Sequence, residues 1–386
     1  ETAWLLQLLI DDPRPVVLVG AMRPATALSA DGPLNLYQAI KVAVSPEARS
    51  HGVLVVVDGE TLSLTGTDLE VELMAQVALD HSFDHSEITV PAKKLLDICK
   101  SLPDESRIQF VTEEQKLLVK AGRSRFSLAT LPANEFPLFD NNESEQSFSI
   151  AQADLSAVFN KTQFAMAQQD VRFYLNGLLL EINPENLNVV GTDGHRLAKT
   201  NIEIDKKNIN EQSCIVPRKA VQELTRSLSD EKDCKISLVD NQASFTFSSV
   251  TLTTKLIDGT FPDYNRVIPS ETETNILLDT KVIKPALQRV SILANEKFKG
   301  VRIDIDNNRI TISSENPEQE QAVEDLDIDN TDTKLSIGFN VSYLIDAVNA
   351  CSGELVALGV NDENTSALIT DPSDPNTKYV VMPMRL

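Results

Sequence analysis

The chain is 386 residues long and carries 57 acidic against 35 basic residues, a formal net charge of −22. So large an acidic excess argues against a protein that binds nucleic acid over its whole surface, although it leaves room for a local basic lining. The length suits two or three domains, and we expect neither a membrane span nor a cleaved secretory signal. The four cysteines stand apart in the sequence. This spacing indicates reduced thiols in the cytoplasm and predicts neither a metal site nor a cofactor.

The first 57 residues have a pattern of their own. Residues 3–10 are predicted to be helical, residues 15–20 to form a buried strand, residues 35–44 a helix and residues 52–57 a second apolar strand. Nearly continuous hydrophobic strands in a β-α-β order are typical of a parallel sheet. We therefore predict a β-α-β-like segment with parallel strands at the start of the chain.

The pattern changes at Asp58. Beyond it, apolar and polar residues alternate, as at residues 61–65 and 117–120, and turn residues separate the runs. Alternation of this kind indicates antiparallel strands. We place a boundary near Asp58 and expect the dipeptide Asp58-Gly59 to form a hairpin turn that pairs residues 52–57 with residues 61–65.

Three landmarks recur at one spacing. Gly-Thr-Asp, Val-Pro and Phe-Pro begin at Gly66, Val90 and Phe136, and again 125 or 126 residues later at Gly191, Val216 and Phe261. A fainter third copy starts near Gly338. A period of this length is that of a whole domain rather than of a solenoid repeat, so we predict a tandem arrangement of three similar domains.

Basic residues fall on the helices that the repeats predict. Lys93, Lys94 and Lys100 lie on one helix, Arg218, Lys219 and Arg226 on its repeat, and Lys281, Lys284 and Arg289 on a third. A solvated surface is the simpler interpretation for any single helix. Recurrence at equivalent positions favours a shared basic face.

Two further motifs imitate metal sites. Asp304 and Asp306 are spaced like ligands of a calcium loop, but Arg309 stands where that loop requires glycine, so the pattern predicts a hairpin turn. His81 and His85 lie in a polar stretch, which predicts a solvated loop rather than a metal site.

The start of the chain carries a resemblance on four stretches, residues 1–3, 19–24, 29–37 and 52–56. They are similar to an internal piece of bacterial type II L-asparaginase. In that family the catalytic Thr-Asp motif would directly precede Glu1, and the catalytic lysine would follow Val57. The resemblance implies a foreign segment, as in a fusion or chimera, that lacks catalytic residues and replaces the start of the next domain.

A second resemblance covers residues 58–386. Its specific stretches are residues 62–70, 122–128, 169–177, 192–197, 258–264, 295–302, 316–320 and 382–386. They are similar, in this order, to the bacterial β sliding clamp family, the processivity factor of DNA polymerase III. The family implies an α+β fold of three tandem clamp domains, with antiparallel sheets outside and helices lining a ring. We accordingly assign residues 1–57 to the asparaginase-like segment, 58–144 to the remainder of the first clamp domain, 145–270 to the second and 271–386 to the third.

The clamp resemblance implies a protein without catalytic activity. Two chains would close head to tail into a homodimeric ring around duplex DNA, whose phosphates the lining attracts without reading base sequence. The expected DNA-facing residues are Lys93, Lys94, Lys100, Arg172, Phe173, Tyr174, Arg218, Lys219, Arg226 and Lys284. A position in the core is the alternative for Phe173 and Tyr174.

The resemblance also implies a pocket for short peptides through which DNA polymerase III, other polymerases, the clamp loader and repair proteins bind. Its residues would be Leu175, Thr192, Gly194, His195, Arg196, Leu197, Pro262, Val267, Asn340, Tyr343, Val380, Val381, Met382, Pro383, Met384 and Arg385. Apolar walls with adaptable methionines suit varied peptide side chains. For His195 alone, a purely structural role is the simpler interpretation.

Ring closure in the family joins an edge strand of the first domain to an edge of the third. The matching residues are Arg123, Arg125, Phe126 and Leu128 on one side, and Ile292, Leu293, Glu318 and Glu320 on the other. Two other functions stay open. One is an asparaginase-related amidohydrolase, and the other is a ring-incompetent adaptor that keeps the peptide pocket without encircling DNA.

Overall fold

The structure is a computed structural model. It describes residues 16–18, 52–103, 106, 108–113, 115–139, 146–204, 210–229, 232–329 and 333–385. The helices predicted at residues 3–10 and 35–44 lie outside these ranges. Within them, no helix is both long and apolar enough to span a membrane.

The described residues form strands and helices with the following bounds. The strands are β1 Val16–Leu18, β2 Val53–Thr67, β3 Val71–Val90, β4 Ile108–Glu113, β5 Lys116–Ala121, β6 Ser124–Ala129, β7 Gln146–Ala151, β8 Gly177–Ile182, β9 Asn186–Thr192, β10 Arg196–Glu203, β11 Gln212–Pro217, β12 Asp233–Val239, β13 Gln242–Phe247, β14 Val250–Lys255, β15 Thr274–Asp279, β16 Gly300–Asp306, β17 Arg309–Glu315, β18 Gln321–Asp327, β19 Lys334–Asn340, β20 Leu355–Val360, β21 Ala367–Asp371 and β22 Asp374–Val381. The helices are α1 Ala92–Ser101, α2 Gln152–Thr162, α3 Arg218–Ser227, α4 Thr280–Ser291 and α5 Val341–Ala350.

One pattern repeats along this order: a strand, a helix and three more strands. It occurs from β7 to β10, from β11 to β14, from β15 to β18 and from β19 to β22. Side-chain caps start two of the helices, because Asp279 accepts a hydrogen bond from the Lys281 amide (2.7 Å) and Asn340 accepts one from the Ser342 amide (2.9 Å). The predicted α+β fold with tandem domains is confirmed.

The chain divides into two compact units. Unit 1 contains residues 1–155 and 226–256, and unit 2 contains residues 156–225 and 257–386. Unit 1 has a four-stranded sheet in the order β1-β4-β5-β6 and a six-stranded sheet in the order β2-β3-β14-β13-β12-β7. All of their ladders are antiparallel.

Two predictions for the start of unit 1 are wrong. The first apolar strand pairs antiparallel with β4, with Val16 opposite Val111, so the predicted parallel sheet is absent from the described residues. The dipeptide Asp58-Gly59 does not reverse the chain, because β2 continues through it. Gly59 takes a left-handed φ of 55° and the register shifts on both sides of it, so the dipeptide forms an irregularity inside one long strand.

The long partner strand also changes the setting of the histidine pair. His81 and His85 lie in β3 and not in a loop, although both are exposed as expected. The hairpin predicted around Asp304 is confirmed: β16 and β17 form an antiparallel pair with Asp306 opposite Arg309.

Unit 2 has an eight-stranded antiparallel sheet in the order β11-β8-β9-β10-β22-β21-β20-β15 and a four-stranded sheet in the order β18-β17-β16-β19. The β10–β22 ladder joins strands of the second and third predicted domains in one sheet, with Leu197 opposite Val380. Helices α4 and α5 bury Leu287, Val290 and Leu344 in the core that both sheets share. Tyr379 of β22 is 1% exposed and belongs to the same core.

Candidate functional site

An apolar cavity of about 190 Å³ lies in unit 2, beside the turn between β9 and β10. We call it the anchor cavity. Its lining residues are Arg172, Tyr174, Leu175, Thr192, Gly194, Arg196, Leu197, Pro262, Asp263, Tyr264, Val267, Val380 and Met382. Nine of the sixteen residues expected in the peptide pocket are among them, brought together from four separate stretches of the chain.

Side-chain hydrogen bonds shape the β9–β10 turn. The Thr192 hydroxyl donates to the Arg196 carbonyl (2.6 Å) and accepts from the Gly194 amide (3.1 Å). One carboxylate oxygen of Asp193 accepts from the amides of His195 (2.9 Å) and Arg196 (3.0 Å). The Thr-Asp pair thus holds the turn from within, and the left-handed φ of 87° at Gly194 suits glycine.

Unit 1 contains the same turn 125 residues earlier. The Thr67 hydroxyl donates to the Val71 carbonyl (3.1 Å) and accepts from the Leu69 amide (3.1 Å). The Asp68 carboxylate accepts from the amides of Glu70 (3.0 Å) and Val71 (2.8 Å). The repeated Gly-Thr-Asp landmark therefore encodes one hydrogen-bonding device twice.

The two copies differ in what surrounds the turn. The Met382 amide donates to the His195 carbonyl (2.9 Å), and in unit 1 the Lys255 amide donates to the Glu70 carbonyl (3.2 Å). In unit 1 the Lys255 ammonium lies 5.2 Å from the Phe139 ring centroid, and the Glu72 carboxylate accepts from the Phe139 amide (3.0 Å). Leu197 and Met382 line the cavity of unit 2. At the corresponding positions, unit 1 has the charged residues Glu72 and Lys255, which contact Phe139 instead.

Arg196 ties the wall of the anchor cavity to its surroundings. Its guanidinium pairs with Asp193 (3.1 Å) and Asp346 and donates to the Phe164 carbonyl (2.6 Å). The Tyr343 ring centroid lies 4.5 Å from the same group, within the range of a cation–π contact. Arg196 therefore fixes the start of β10 against α5 and the segment after α2.

Arg172 forms part of the rim. Its guanidinium makes two hydrogen bonds to Asp170 (3.0 and 2.9 Å) and one to the Asp193 carbonyl (3.1 Å). This bidentate pairing with Arg172 holds the pKa of Asp170 at about 2. A Cβ atom added to Gly194 would lie 2.8 Å from Arg172 Nη1, so glycine also leaves room for this guanidinium.

Tyr264 closes the buried side of the cavity. Its hydroxyl donates to the Glu181 carboxylate (2.6 Å), and the Lys199 ammonium lies 5.1 Å from its ring centroid. Burial and the Glu181 carboxylate raise the pKa of Tyr264, while burial lowers the pKa of Lys199. Sequence reasoning missed Tyr264 and its neighbour Asp263, although the recurring Phe-Pro landmark lies directly before them.

Strand alternation explains which residues of the final segment reach the cavity. Val380 and Met382 line it, whereas Val381 between them is 1% exposed and belongs to the core. Further on, the Met384 amide donates to the Gly338 carbonyl (2.8 Å), which holds the end of the chain against β19. Met384 and Arg385 line a second, larger cavity of about 890 Å³.

The other expected pocket residues do not line the anchor cavity. Asn340 caps α5 and Tyr343 stacks on Arg196, while His195 contributes its carbonyl oxygen to Met382. Pro383 is half-buried between the residues that line the two cavities. The residues of the expected pocket thus line two cavities, and Pro383 connects the residues that line the first with those that line the second.

The residues expected to face DNA fall into three groups. Lys93, Lys94, Lys100 and Arg226 are exposed on α1 and α3, while Arg218, Lys219 and Lys284 are half-buried. The Arg218 guanidinium donates to the Met166 carbonyl (3.0 Å), and burial and nearby Arg196 lower its pKa. Arg172 and Tyr174 line the anchor cavity, and Phe173, at 56% exposure, lies outside the core.

The residues expected at ring closure lie on or beside sheet edges. Strand β6 is the last strand of its sheet and carries Arg125, Phe126 and Leu128, and Arg123 lies in the turn before it. Strand β18 is the edge strand of its own sheet, and Glu318 and Glu320 lie directly before it in the sequence. Beside α4, Ile292 is 76% exposed and Leu293 is half-buried.

Protein-family models match most of the chain. The N-terminal, central and C-terminal domain models of the DNA polymerase III β subunit match residues 50–140, 149–263 and 265–385. The N-terminal asparaginase model matches residues 1–71 and overlaps the first of these.

Relatives and solved structures agree with the clamp matches. The β sliding clamps of Pseudomonas aeruginosa and Escherichia coli K12 are 48% and 44% identical over 336 and 335 residues, which is 86% of this chain and 91% of each relative. A crystal structure of the P. aeruginosa clamp bound to griselimycin has a TM-score of 0.87 at 45% identity and covers 91% of this chain and 96% of that one. The Caulobacter crescentus polymerase III β structure has a TM-score of 0.84 at 32% identity, covering 91% and 97%. The chain therefore belongs to the DNA polymerase III β subunit family, the β sliding clamps.

Proposed function

We propose that two copies of this chain form a ring that slides on duplex DNA and holds DNA polymerase III and other replication and repair proteins there through short peptides. The observation that carries the peptide part of the proposal is the anchor cavity. Its walls offer Leu175, Leu197, Val380 and Met382 to apolar side chains, and Arg172 and Thr192 bring polar groups to its rim. Apolar anchors with a few polar contacts are the usual basis of peptide recognition.

The charge distribution supports the DNA part. Helices α1, α3 and α4 each carry more basic than acidic residues, although the whole chain has a net charge of −22. Positive helices in an otherwise acidic chain attract phosphates at one surface and repel DNA elsewhere. Lys94, which is exposed on α1, is the simplest residue with which to test this.

The peptide part is tested with a fluorescein-labelled pentapeptide that carries leucine and phenylalanine anchors, titrated by fluorescence anisotropy. We expect Met382→Ala to weaken binding about tenfold, because an apolar anchor contact is worth about 1–2 kcal/mol. The matched control is Leu355→Ala on β20 of the same sheet, since Leu355 is 43% exposed and Met382 40%. Equal affinities in the two variants would place the peptide elsewhere. Griselimycin, which the P. aeruginosa clamp binds, should displace the peptide.

The ring is tested by solution mass and by retention on DNA. Light scattering should give twice the 42.5 kDa chain mass at micromolar concentration. Chains that a clamp loader places on nicked circular DNA should stay bound until the circle is cut, because a ring slides off a free end. A monomeric mass, or equal retention on linear DNA, would favour a peptide-binding adaptor that does not encircle DNA.

The asparaginase similarity motivates one further test. We propose that the chain does not hydrolyse asparagine, because the matching segment corresponds to a piece between the catalytic residues of that family. Incubation of the purified chain with asparagine should release no more ammonia than asparagine alone. Release that scales with protein concentration would establish an amidohydrolase activity.

A further inference from the structure

The anchor cavity accommodates only part of a peptide. Its volume of about 190 Å³ lies below the range of about 300–1,000 Å³ that ligand pockets usually occupy. One or two anchor side chains fill such a volume, so the remaining residues of a partner segment lie on the surface around it. The β10–β22 ladder, which supplies Leu197 and Val380 to the cavity wall, continues into that surface.

Two lysines lie opposite each other on this ladder, one step beyond the cavity wall. Lys199 pairs with Lys378 in the same register in which Leu197 pairs with Val380. Because residues two apart in a strand share a face of the sheet, each lysine lies about 7 Å from the apolar residue of its own strand. Both lysines are half-buried. We call Lys199 and Lys378 the lysine pair.

The lysine pair is unfavourable in the chain by itself. Like charges directly opposite each other destabilise a sheet, since their Cβ atoms are about 5 Å apart. Burial lowers the pKa of Lys199, and nearby Glu181 raises this pKa while Lys378 lowers it further. Among the described residues, neither lysine forms an ion pair, and Lys199 contacts the Tyr264 ring at 5.1 Å from its centroid.

The acidic groups around the lysine pair already have partners. The Glu181 carboxylate accepts a hydrogen bond from the Tyr264 hydroxyl (2.6 Å). Two further acidic residues, on β22 and directly before Tyr264, are in ion pairs of their own at 2.6 and 2.9 Å: Asp374 with Lys161 and Asp263 with Arg266. Two ammonium groups therefore face the single carboxylate of Glu181, and charge complementarity favours an anionic ligand at this place.

We infer that the lysine pair binds a carboxylate of the same partner segment whose apolar anchor fills the anchor cavity. This inference rests on the proposed peptide-binding function and specifies the partner: an extended segment with a leucine or phenylalanine anchor and a carboxylate about two residues away. The carboxylate is either an aspartate or glutamate side chain or the free end of the partner chain. Placed beside the two ammonium groups, it offsets their repulsion, so its contribution to binding falls as the salt concentration rises.

The test uses the whole chain and four labelled peptides. The reference is the anchor pentapeptide with a C-terminal amide. The other three carry Glu-Gly at the N-terminus, Gly-Glu before the C-terminal amide, or a free C-terminal carboxylate on the reference sequence. At least one of these three should bind about fivefold tighter than the reference at low salt, the scale of one partly exposed ion pair.

Variants of one lysine show where the gain arises. The gain is the ratio of two affinities measured in the same variant, so a general loss of binding does not enter it. Lys378→Ala should remove most of the gain. Lys378→Glu places a carboxylate opposite Lys199, so it should abolish the gain and raise the unfolding temperature. The matched control is Lys334→Ala on β19, which removes a lysine that pairs with Asp306 at 3.4 Å and should keep the full gain.

The outcomes separate this inference from the proposed function. If the reference peptide does not bind, the peptide-binding function fails. If it binds and no acidic peptide gains affinity, or if the gain persists in Lys378→Ala or at high salt, only the carboxylate assignment fails. A gain confined to the free-acid peptide would assign the lysine pair to the end of a partner chain, and a gain with glutamate would assign it to a side chain.

Discussion

Replacement of Arg196 by alanine should destabilise unit 2 strongly, because this side chain is charged, largely buried and shared among several elements. The side chains of Arg196 and Asp193 are 13% and 16% exposed, and that of Asp346 is 41% exposed. Loss of the Asp193 pair and of the hydrogen bond to the Phe164 carbonyl leaves one oxygen of the Asp193 carboxylate and the Phe164 carbonyl without their partner, which costs about 3–4 kcal/mol. Loss of the stacking on Tyr343 adds about 0.5–1 kcal/mol, and the more exposed Asp346 pair adds little.

The total of about 4 kcal/mol corresponds to a fall of about 8–16 °C in the unfolding temperature of a unit of this size. The measurement is thermal unfolding followed by differential scanning calorimetry. The matched control is Arg266→Ala. Arg266 pairs with Asp263 at the same sequence spacing and at 2.9 Å, but their side chains are 84% and 54% exposed. An exposed pair contributes at most about 0.5 kcal/mol, so this variant should unfold within about 2 °C of the parent chain.

Equal shifts in the two variants would refute the argument that burial gives the Arg196 pair its weight. Arg196→Lys provides a further check. Lysine keeps the charge but lacks the planar fork that reaches several acceptors at once, so it should recover less than half of the loss. Full recovery by lysine would show that charge alone matters at this position.

Three other predictions follow from single residues. Burial raises the pKa of Glu72, so its contribution to stability is present at low pH and lost as pH rises through the raised pKa. Glu72→Gln should therefore raise the unfolding temperature at about pH 7 and leave it unchanged at about pH 4. Equal effects at both pH values would contradict this. Burial raises the pKa of Cys99 from 9.0 to about 11. Alkylation of this thiol by iodoacetamide at about pH 8 should therefore be ~100-fold slower than in the urea-unfolded chain. Equal rates would show that the thiol is not shielded. Lys94→Ala should lower the salt dependence of DNA binding by about one phosphate contact, whereas Lys334→Ala on β19 should leave it unchanged, and equal slopes would disprove a DNA role for α1.

The anchor cavity shows which features of a site are encoded by residues close together in the chain. The Gly-Thr-Asp landmark, which the sequence marked only as a repeat, forms a turn in which the side chains of Thr192 and Asp193 make their hydrogen bonds within five residues, from Thr192 to Arg196. Such a turn is encoded locally, because its donors and acceptors are neighbours in the chain. Tyr264 was missed because its role depends on a partner far along the chain, the Glu181 carboxylate.

The wrong predictions have the same origin. The apolar run at Val16 has no signal that distinguishes a parallel from an antiparallel neighbour, and β4 supplies an antiparallel one. Asp58-Gly59 is a sound turn sequence by itself. It does not turn here because β3 offers a ladder long enough to pair on both sides of Gly59, and the glycine is accommodated as an irregularity.

By itself, the sequence determined the alternating strands and the helices with basic residues, since each depends on residues close together in the chain. It also determined the period of the duplication, which follows from comparing the sequence with itself. The side-chain hydrogen bonds of the β9–β10 turn are encoded locally in the same way. Only the tertiary structure decided which distant residues surround each copy of the turn. The β10–β22 ladder joins residues far apart in sequence and brings Met382 to Leu197 in unit 2. The corresponding β3–β14 ladder brings Lys255 to Phe139 in unit 1. A pocket depends on which distant side chains meet, and strand pairing across the sheet sets that meeting.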